Sequence, residues 1–254
     1  MCFYNSQSKR ALALAKRYGK KTDIIEIWKE IIEEKKRKGE LLDLTDGAYN
    51  IPAFASPYSA IVTDSDNLQP MRWGLISHKT DSWATVMEKD KKNWYKNARS
   101  EKVFDTWPYK LSIHSRRCII PSTGFFEYHE NPDKTKTPYH IYMPKEEIFS
   151  IAGLWDEWVN PANGEKILSY VMLTSEANEL LREVHNSGAN PFRMPLVLDS
   201  NDEATWLKSN LPSEDIKTLL ARKIVSDDMA AYVVDKTFKD MRNMYNPEII
   251  KRVS

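Results

Sequence analysis

A chain of 254 residues that is 41% hydrophobic and 29% charged has the composition of an ordinary globular protein, long enough to bury a core without metal or disulfide staples. A net charge of +1 excludes a global basic field, so a nucleic-acid partner would have to meet positive charge gathered on one face or in one groove. Cys2 and Cys118 form no disulfide framework, no apolar run approaches the roughly 20 residues of a membrane span, and no signal-peptide core follows Met1, so the expected address is the cytoplasm.

Residues 6–38 read as helical. Ala11, Leu14, Ala15 and Tyr18 recur at helical spacing up to Gly19, and Ile24, Ile27, Trp28, Ile31 and Ile32 build a second apolar stripe. The charged run from Glu33 to Lys38 continues it as a solvated helix end closed by Gly39. From residue 48 the runs turn short and β-rich, separated by Pro or by Asp, Asn and Ser. They predict strands at Ala48–Ile51, Ser59–Thr63, Met71–Ile76, Arg117–Ile120, Gly124–Tyr128, Tyr139–Met143, Phe149–Trp155 and Leu168–Thr174. Ser175 is expected to cap a helix over Glu176–His185, Met194–Leu198 to resume a strand, and residues 201–222 to hold two short helices around Pro212. The whole predicts one α+β domain over residues 1–254: a curved, barrel-like, mostly antiparallel sheet with peripheral helices, an amphipathic insertion at 22–40 and a C-terminal tail at 236–254.

Four places could carry chemistry. If Met1 is removed, as a small second residue favours, Cys2 presents an α-amine beside its thiol. The amine condenses with an aldehyde to an imine, and the thiol can close on the same carbon to give a thiazolidine. With an α-amine titrating at about 8 and a thiol at about 8.5, a useful fraction of each is nucleophilic near neutrality. By position alone, Cys2 reads first as an incidental residue in a flexible end. In Asn97-Ala98-Arg99-Ser100-Glu101, Asn97 could hold the amine or a sugar oxygen and Arg99 could clamp a phosphate, or the run is simply a solvated loop. Glu127 interrupts the aromatic run Phe125-Phe126-Glu127-Tyr128. It either faces outward or sits half-desolvated, where a raised pKa would let it shuttle a proton. His185 ends its expected helix before a Gly/Asn/Pro turn, as a proton donor or as a cap on the helix dipole. No pair of histidines has zinc-protease spacing, no Cys-x-x-Cys exists and no glycine-rich phosphate loop is present, so neither metal nor cofactor is expected.

Taken together and in order, the blocks resemble the SRAP family, the SOS-response-associated peptidase-like proteins that crosslink to abasic DNA. The matching pieces are Cys2 after Met1, Arg72-Trp73-Gly74-Leu75-Ile76, Asn97 to Glu101, Arg117-Cys118-Ile119-Ile120-Pro121 running into Gly124 to Tyr128, Ala152 to Trp158, Leu173 to Asn178, His185, and Arg193-Met194-Pro195. The resemblance implies Cys2 as nucleophile with Asn97, Glu127 and His185 in support, and Arg72, Trp73, Arg99 and Arg193 along a DNA groove. It implies a monomeric sensor of abasic sites in single-stranded DNA, with no membrane partner. In that reading His185 protonates the ring oxygen as the abasic sugar opens, Asn97 orients the N-terminus, and Glu127 moves protons between amine, thiol and hydroxyl. Phe3 and Tyr4 depart from the Gly-Arg usual after the family's cysteine, so a base could stack on Tyr4 where an arginine would hold phosphate. Two other classes stay open: a thiol peptidase whose Cys2 attacks amides, including its own processing, and a single-strand binding module with an idle Cys2.

The aminothiol chemistry requires a free α-amine on Cys2. The purified active chain is therefore expected to have an intact mass lower by one methionine, and an N-terminal fusion should abolish covalent capture. Active protein that retains Met1 would rule the chemistry out.

Overall fold

The computed structural model describes residues 3–253. The chain opens not with helix but with a strand, β1 (Tyr4–Gln7), before α1 (Ala11–Tyr18) and α2 (Asp23–Arg37). Helical spacing could not reveal this, because Asn5, Ser6 and Gln7 are buried polar residues whose partners lie far along the chain. Gln7 donates to the carbonyls of Ala60 and Pro121, and Ser6 meets Thr123 at 3.0 Å. Gly19, at φ 62°, ends α1 in the left-handed conformation that glycine adopts without strain. The expected insertion is α2, which buries Ile25 and Ile32 and lays Trp28 on Tyr58 with ring centroids 4.8 Å apart.

Next come β2 (Ala48–Pro52), β3 (Tyr58–Ile61), β4 (Gln69–Trp73), α3 (Trp83–Lys91), β5 (Asn97–Arg99), β6 (Arg117–Ser122), β7 (Gly124–Glu130), β8 (Lys136–Tyr142), β9 (Phe149–Val159) and β10 (Lys166–Glu176). The chain finishes with α4 (Glu179–Val184), β11 (Arg193–Pro195), β12 (Val197–Leu198), α5 (Glu203–Leu207), α6 (Ser213–Ala221), β13 (Ala230–Val233) and three 3-10 turns between Lys236 and Ile250. Helix α3 escapes periodicity because it buries only Val86. Its start is set by Ser82, whose side chain accepts from Thr85 N–H. The cap of α4 is Asn178 rather than Ser175, which still belongs to β10.

The strands form two sheets, not one curved barrel. One runs β13-β8-β7-β1-β2. The other runs β12-β9-β10-β4-β3, with β5 and β11 also on β10 and β6 on β9. Pairing is antiparallel except where β4 and β5 lie parallel to β10. Among the described residues no ladder closes either sheet; β3 reaches β6 through an isolated bridge, Val62 to Ile119. The core fills the space between the sheets, around Trp73, Phe125, Phe149 and Tyr170. Strand β7 is covered on both faces, since Phe125 joins this core while Phe126 joins a second cluster with Val234, Phe238 and Ile249. At Gly124 a Cβ would come within 2.2 Å of His140 Nε2, so only glycine lets the start of β7 lie against that ring.

The expected tail is part of the fold. Phe238 stacks on Phe126 with centroids 4.3 Å apart, its carbonyl accepts from Asn50 at 2.7 Å, and Met244 O accepts from Tyr49 N–H. Phe238→Ala is accordingly expected to cost about 3–5 kcal/mol, measured as a lower midpoint in urea denaturation. An unchanged midpoint would mean that the tail contributes nothing to the stability of the domain.

Candidate active site

Glu127 sits in the middle of β7, between β1 and β8, and is 6% exposed. Its Oε1 has no hydrogen-bond partner among the described residues, and its Oε2 lies 3.8 Å from His185 Nε2. Burial disfavours the carboxylate, raising the pKa to about 7 against smaller opposing pulls, first from the charge of the N-terminal amine and then from the Tyr128 N–H. The alternative of an outward-facing glutamate is thereby settled. Glu127 also acts on its neighbour: burial first, and then the nearness of Glu127, raises the pKa of Tyr4 on β1.

His185 follows α4 directly, and its N–H still bonds to Leu181 O. Its Nδ1 lies 2.9 Å from the carbonyl oxygen of Arg193 and 3.3 Å from the N–H of the same residue. The shorter contact assigns the proton to Nδ1, which leaves the Nε2 lone pair facing Glu127. Desolvation lowers the imidazole pKa to about 4, outweighing the Arg193 carbonyl. A cation at the helix terminus would be favoured by the dipole, but burial wins, and the ring is neutral near pH 7. Burial thus shifts the two groups in opposite directions, favouring a protonated Glu127 and an unprotonated His185.

Alternation along β5 buries Ala98 in the core and puts Asn97 and Arg99 on the other face. Asn97 pairs with Met172 through the backbone, and its carbonyl accepts from the Tyr109 hydroxyl at 3.4 Å. The Arg99 guanidinium bonds to Asn190 Oδ1, in the segment that leads from His185 to Arg193. Glu127 and His185 are thus brought together, and Arg99 is tied to the segment carrying the histidine's partner. Cys2 lies outside the described residues. Cys118 is fully buried, and burial pushes its thiol pKa far up, so it is no second nucleophile. Among the described residues no three His, Cys, Asp or Glu side chains converge as metal ligands would.

Three expected DNA-groove residues lie buried in the fold. Trp73 is 0% exposed, packs on Tyr170 and donates its Nε1–H to Lys96 O at 2.8 Å, so its ring has no free face for a base. Arg193 forms a bidentate pair with Glu101 at 2.8 and 3.0 Å and also donates to Thr174 O. Arg72 pairs with Asp90, which in turn accepts from Lys96 Nζ at 2.8 Å. Only 7% and 8% of the Arg72 and Arg193 side chains are exposed, and each is held by its carboxylate partner. Sequence reading missed Lys96 altogether. It is fully buried, and burial, followed by the nearby Arg72, lowers its pKa to about 8.

These features define an α+β domain whose N-terminal strand lies alongside a buried carboxylic acid facing a neutral imidazole. The sequence model described as SOS response associated peptidase (SRAP) matches residues 1–241, and the chain belongs to that family. It is 31% identical over 215 residues to the abasic site processing protein YoqW of Bacillus subtilis, covering 82% of this chain and 89% of that one. It is 32% identical over 200 residues to the abasic site processing protein YoaM of the same organism, covering 77% and 81%. A crystal structure of a protein from Bacteroides thetaiotaomicron superimposes with a TM-score of 0.86 at 34% identity, over the whole of both chains.

A carboxyl group whose pKa is raised on folding contributes stability below its unfolded pKa and loses it as pH rises through the folded value, here about 7. His185 acts oppositely, losing stability as pH falls from its ordinary value toward about 4, so the difference between wild type and Glu127→Gln isolates the carboxyl. That difference is expected to move in favour of the variant by on the order of 3 kcal/mol between pH 4.5 and 8. Parallel stability profiles would show that Glu127 ionises normally.

Proposed function

We propose that this protein captures abasic sites in single-stranded DNA by condensing Cys2, freed of Met1, with the aldehyde of the baseless sugar to form a thiazolidine. The observation that carries this reading is the pairing of β1 with β7. Asn5 lies opposite Phe125, so the strand that begins two residues after Cys2 runs beside the strand bearing Glu127. The names of YoqW and YoaM support the choice of an abasic site as target. Nothing but a nucleotide without its base leaves room for an N-terminus at the sugar's first carbon.

The proton inventory of the pair suits each step. Opening the cyclic hemiacetal moves a proton from the anomeric hydroxyl to the ring oxygen, with no net change. The neutral Nε2 of His185 is placed to accept the first, and the Glu127 acid to supply the second. Attack by the amine then gives a carbinolamine, and the hydroxyl leaves as water once protonated, again by an acid of pKa near 7. Addition of the thiol to the imine forms the C–S bond, and the thiol proton passes to nitrogen, with Glu127 as carrier. Asn97, on the face of β5 opposite Ala98, is assigned to hold the N-terminus in reach, since reacting atoms must approach to ~3–3.5 Å. The peptidase of the family's name fits the same residues through a single cleavage, the removal of Met1.

The test is a time course of shifted bands on a denaturing gel, with a natural abasic oligonucleotide and with a ring-open aldehyde analogue. Glu127→Gln is expected to slow both substrates by roughly 10²–10⁴-fold, and His185→Ala to slow the natural site by a similar factor but the open aldehyde far less. Cys2→Ala should leave only an imine trappable by borohydride. Equal slowing of both substrates by His185→Ala would remove its role in ring opening, and unchanged capture by Cys2→Ser would sink the function itself.

A further inference from the structure

Two surface clefts meet at Phe54, which is 44% exposed. The larger, about 700 Å3, lies between α2 and α3, and its charges largely cancel. Lys35 is paired with Glu165 and Arg72 with Asp90, leaving Lys91 on the same wall as Glu40. The smaller, about 560 Å3, is lined by Tyr4, Phe54, Lys236, Thr237, Lys239 and Asp240. Its charge does not cancel. The Asp240 carboxylate is held by its own neighbour Arg242, at 2.6 Å from Nη2, whereas Lys236 and Lys239 are exposed and in no ion pair among the described residues. Asp235 and Asp133 are near enough to Lys236 for its charge to help lower their pKa values, but each is held first by a threonine, Thr237 and Thr135.

We propose that this smaller cleft, built by the C-terminal turn Lys236–Lys239 against Tyr4 and Phe54, is the subsite that holds the nucleotide next to the lesion. The inference rests on the capture reading above and adds the path of the strand. Tyr4 is two residues from Cys2, so a nucleotide seated here neighbours one held at the N-terminus. Tyr4 and Phe54 meet edge to face with centroids 5.7 Å apart, and the rings of both line the cleft. A base stacks on the open Phe54 face, and the two lysines receive the phosphates on either side. Tyr4 is kept in place from behind by Phe238, 5.1 Å away, in the same turn that supplies the lysines. One structural unit therefore supplies the cations and supports the aromatic wall.

The experiment is fluorescence anisotropy over a salt series with a single-stranded oligonucleotide carrying a tetrahydrofuran site, which has no aldehyde and cannot condense. Wild type, the double variant Lys236→Gln/Lys239→Gln, Phe54→Ala and the outside control Lys110→Gln are compared. The double variant is expected to bind on the order of tenfold more weakly at low salt, with its log–log salt slope smaller by about 1.4, or about 0.7 per lost phosphate contact. Phe54→Ala should weaken binding with the slope unchanged, since stacking releases no counterion. Lys110→Gln should match wild type. A double variant with the wild-type slope, or a slope lowered equally by Lys110→Gln, overturns the subsite. A parallel gel with a natural abasic oligonucleotide separates the two readings: wild type that binds through the lysines but forms no crosslink refutes the chemistry and keeps the cleft.

Discussion

The placement of β1 between β2 and β7 is the constraint on which the rest of the site depends. A strand of Tyr-Asn-Ser-Gln would have little reason to enter a core on hydrophobic grounds. It is held by directed bonds instead: Asn5 Nδ2 donates to Pro121 O at 3.3 Å, Ser122 donates to Asn5 Oδ1 at 2.8 Å, and Gln7 bridges two carbonyls. Buried polar groups are costly when unpaired, so such a strand has few registers in which it can rest. That selectivity fixes where residue 4 lies relative to Glu127.

Around that strand the protein deploys buried charge in two contrasting ways. Arg72, Asp90 and Lys96 pair off, with Lys96 also donating to Trp73 O at 3.0 Å; they brace β4 and α3. Glu127 and His185 do the opposite. Desolvation is the largest influence on each, and it pushes each toward its neutral form. The first arrangement suits a structural post. The second suits proton exchange near neutrality, because burial brings the carboxyl into that range.

Much of this was legible in the chain. The β-rich runs and their order give most strands within a few residues, and Glu127 and His185 stand out as the carboxylate and imidazole in unusual surroundings. What stayed hidden has physical causes. Alternation along Gly124 to Tyr128 could not tell whether Glu127 faces in, because β7 is covered on both faces, by the core on one and by the C-terminal turns on the other. Trp73, which looks like a stacking platform, is concealed because its side chain enters the core and stacks on Tyr170. The neutrality of His185 depends on desolvation by residues distant in sequence. The two-sheet layout depends on pairings such as β10 with β4 and β5, which no local pattern encodes.

The packing of Phe238 on Phe126 sets an order in time as well as in space. The strand carrying Glu127 leaves the ribosome well before the ring that covers its back. Until Phe238 emerges, β7 lacks one of its two covers, and Phe126 on that face stays open to water. A chain cut short before Phe238 would thus carry β7 with one face bare, an apolar strand edge-on to its neighbours and open to mispairing.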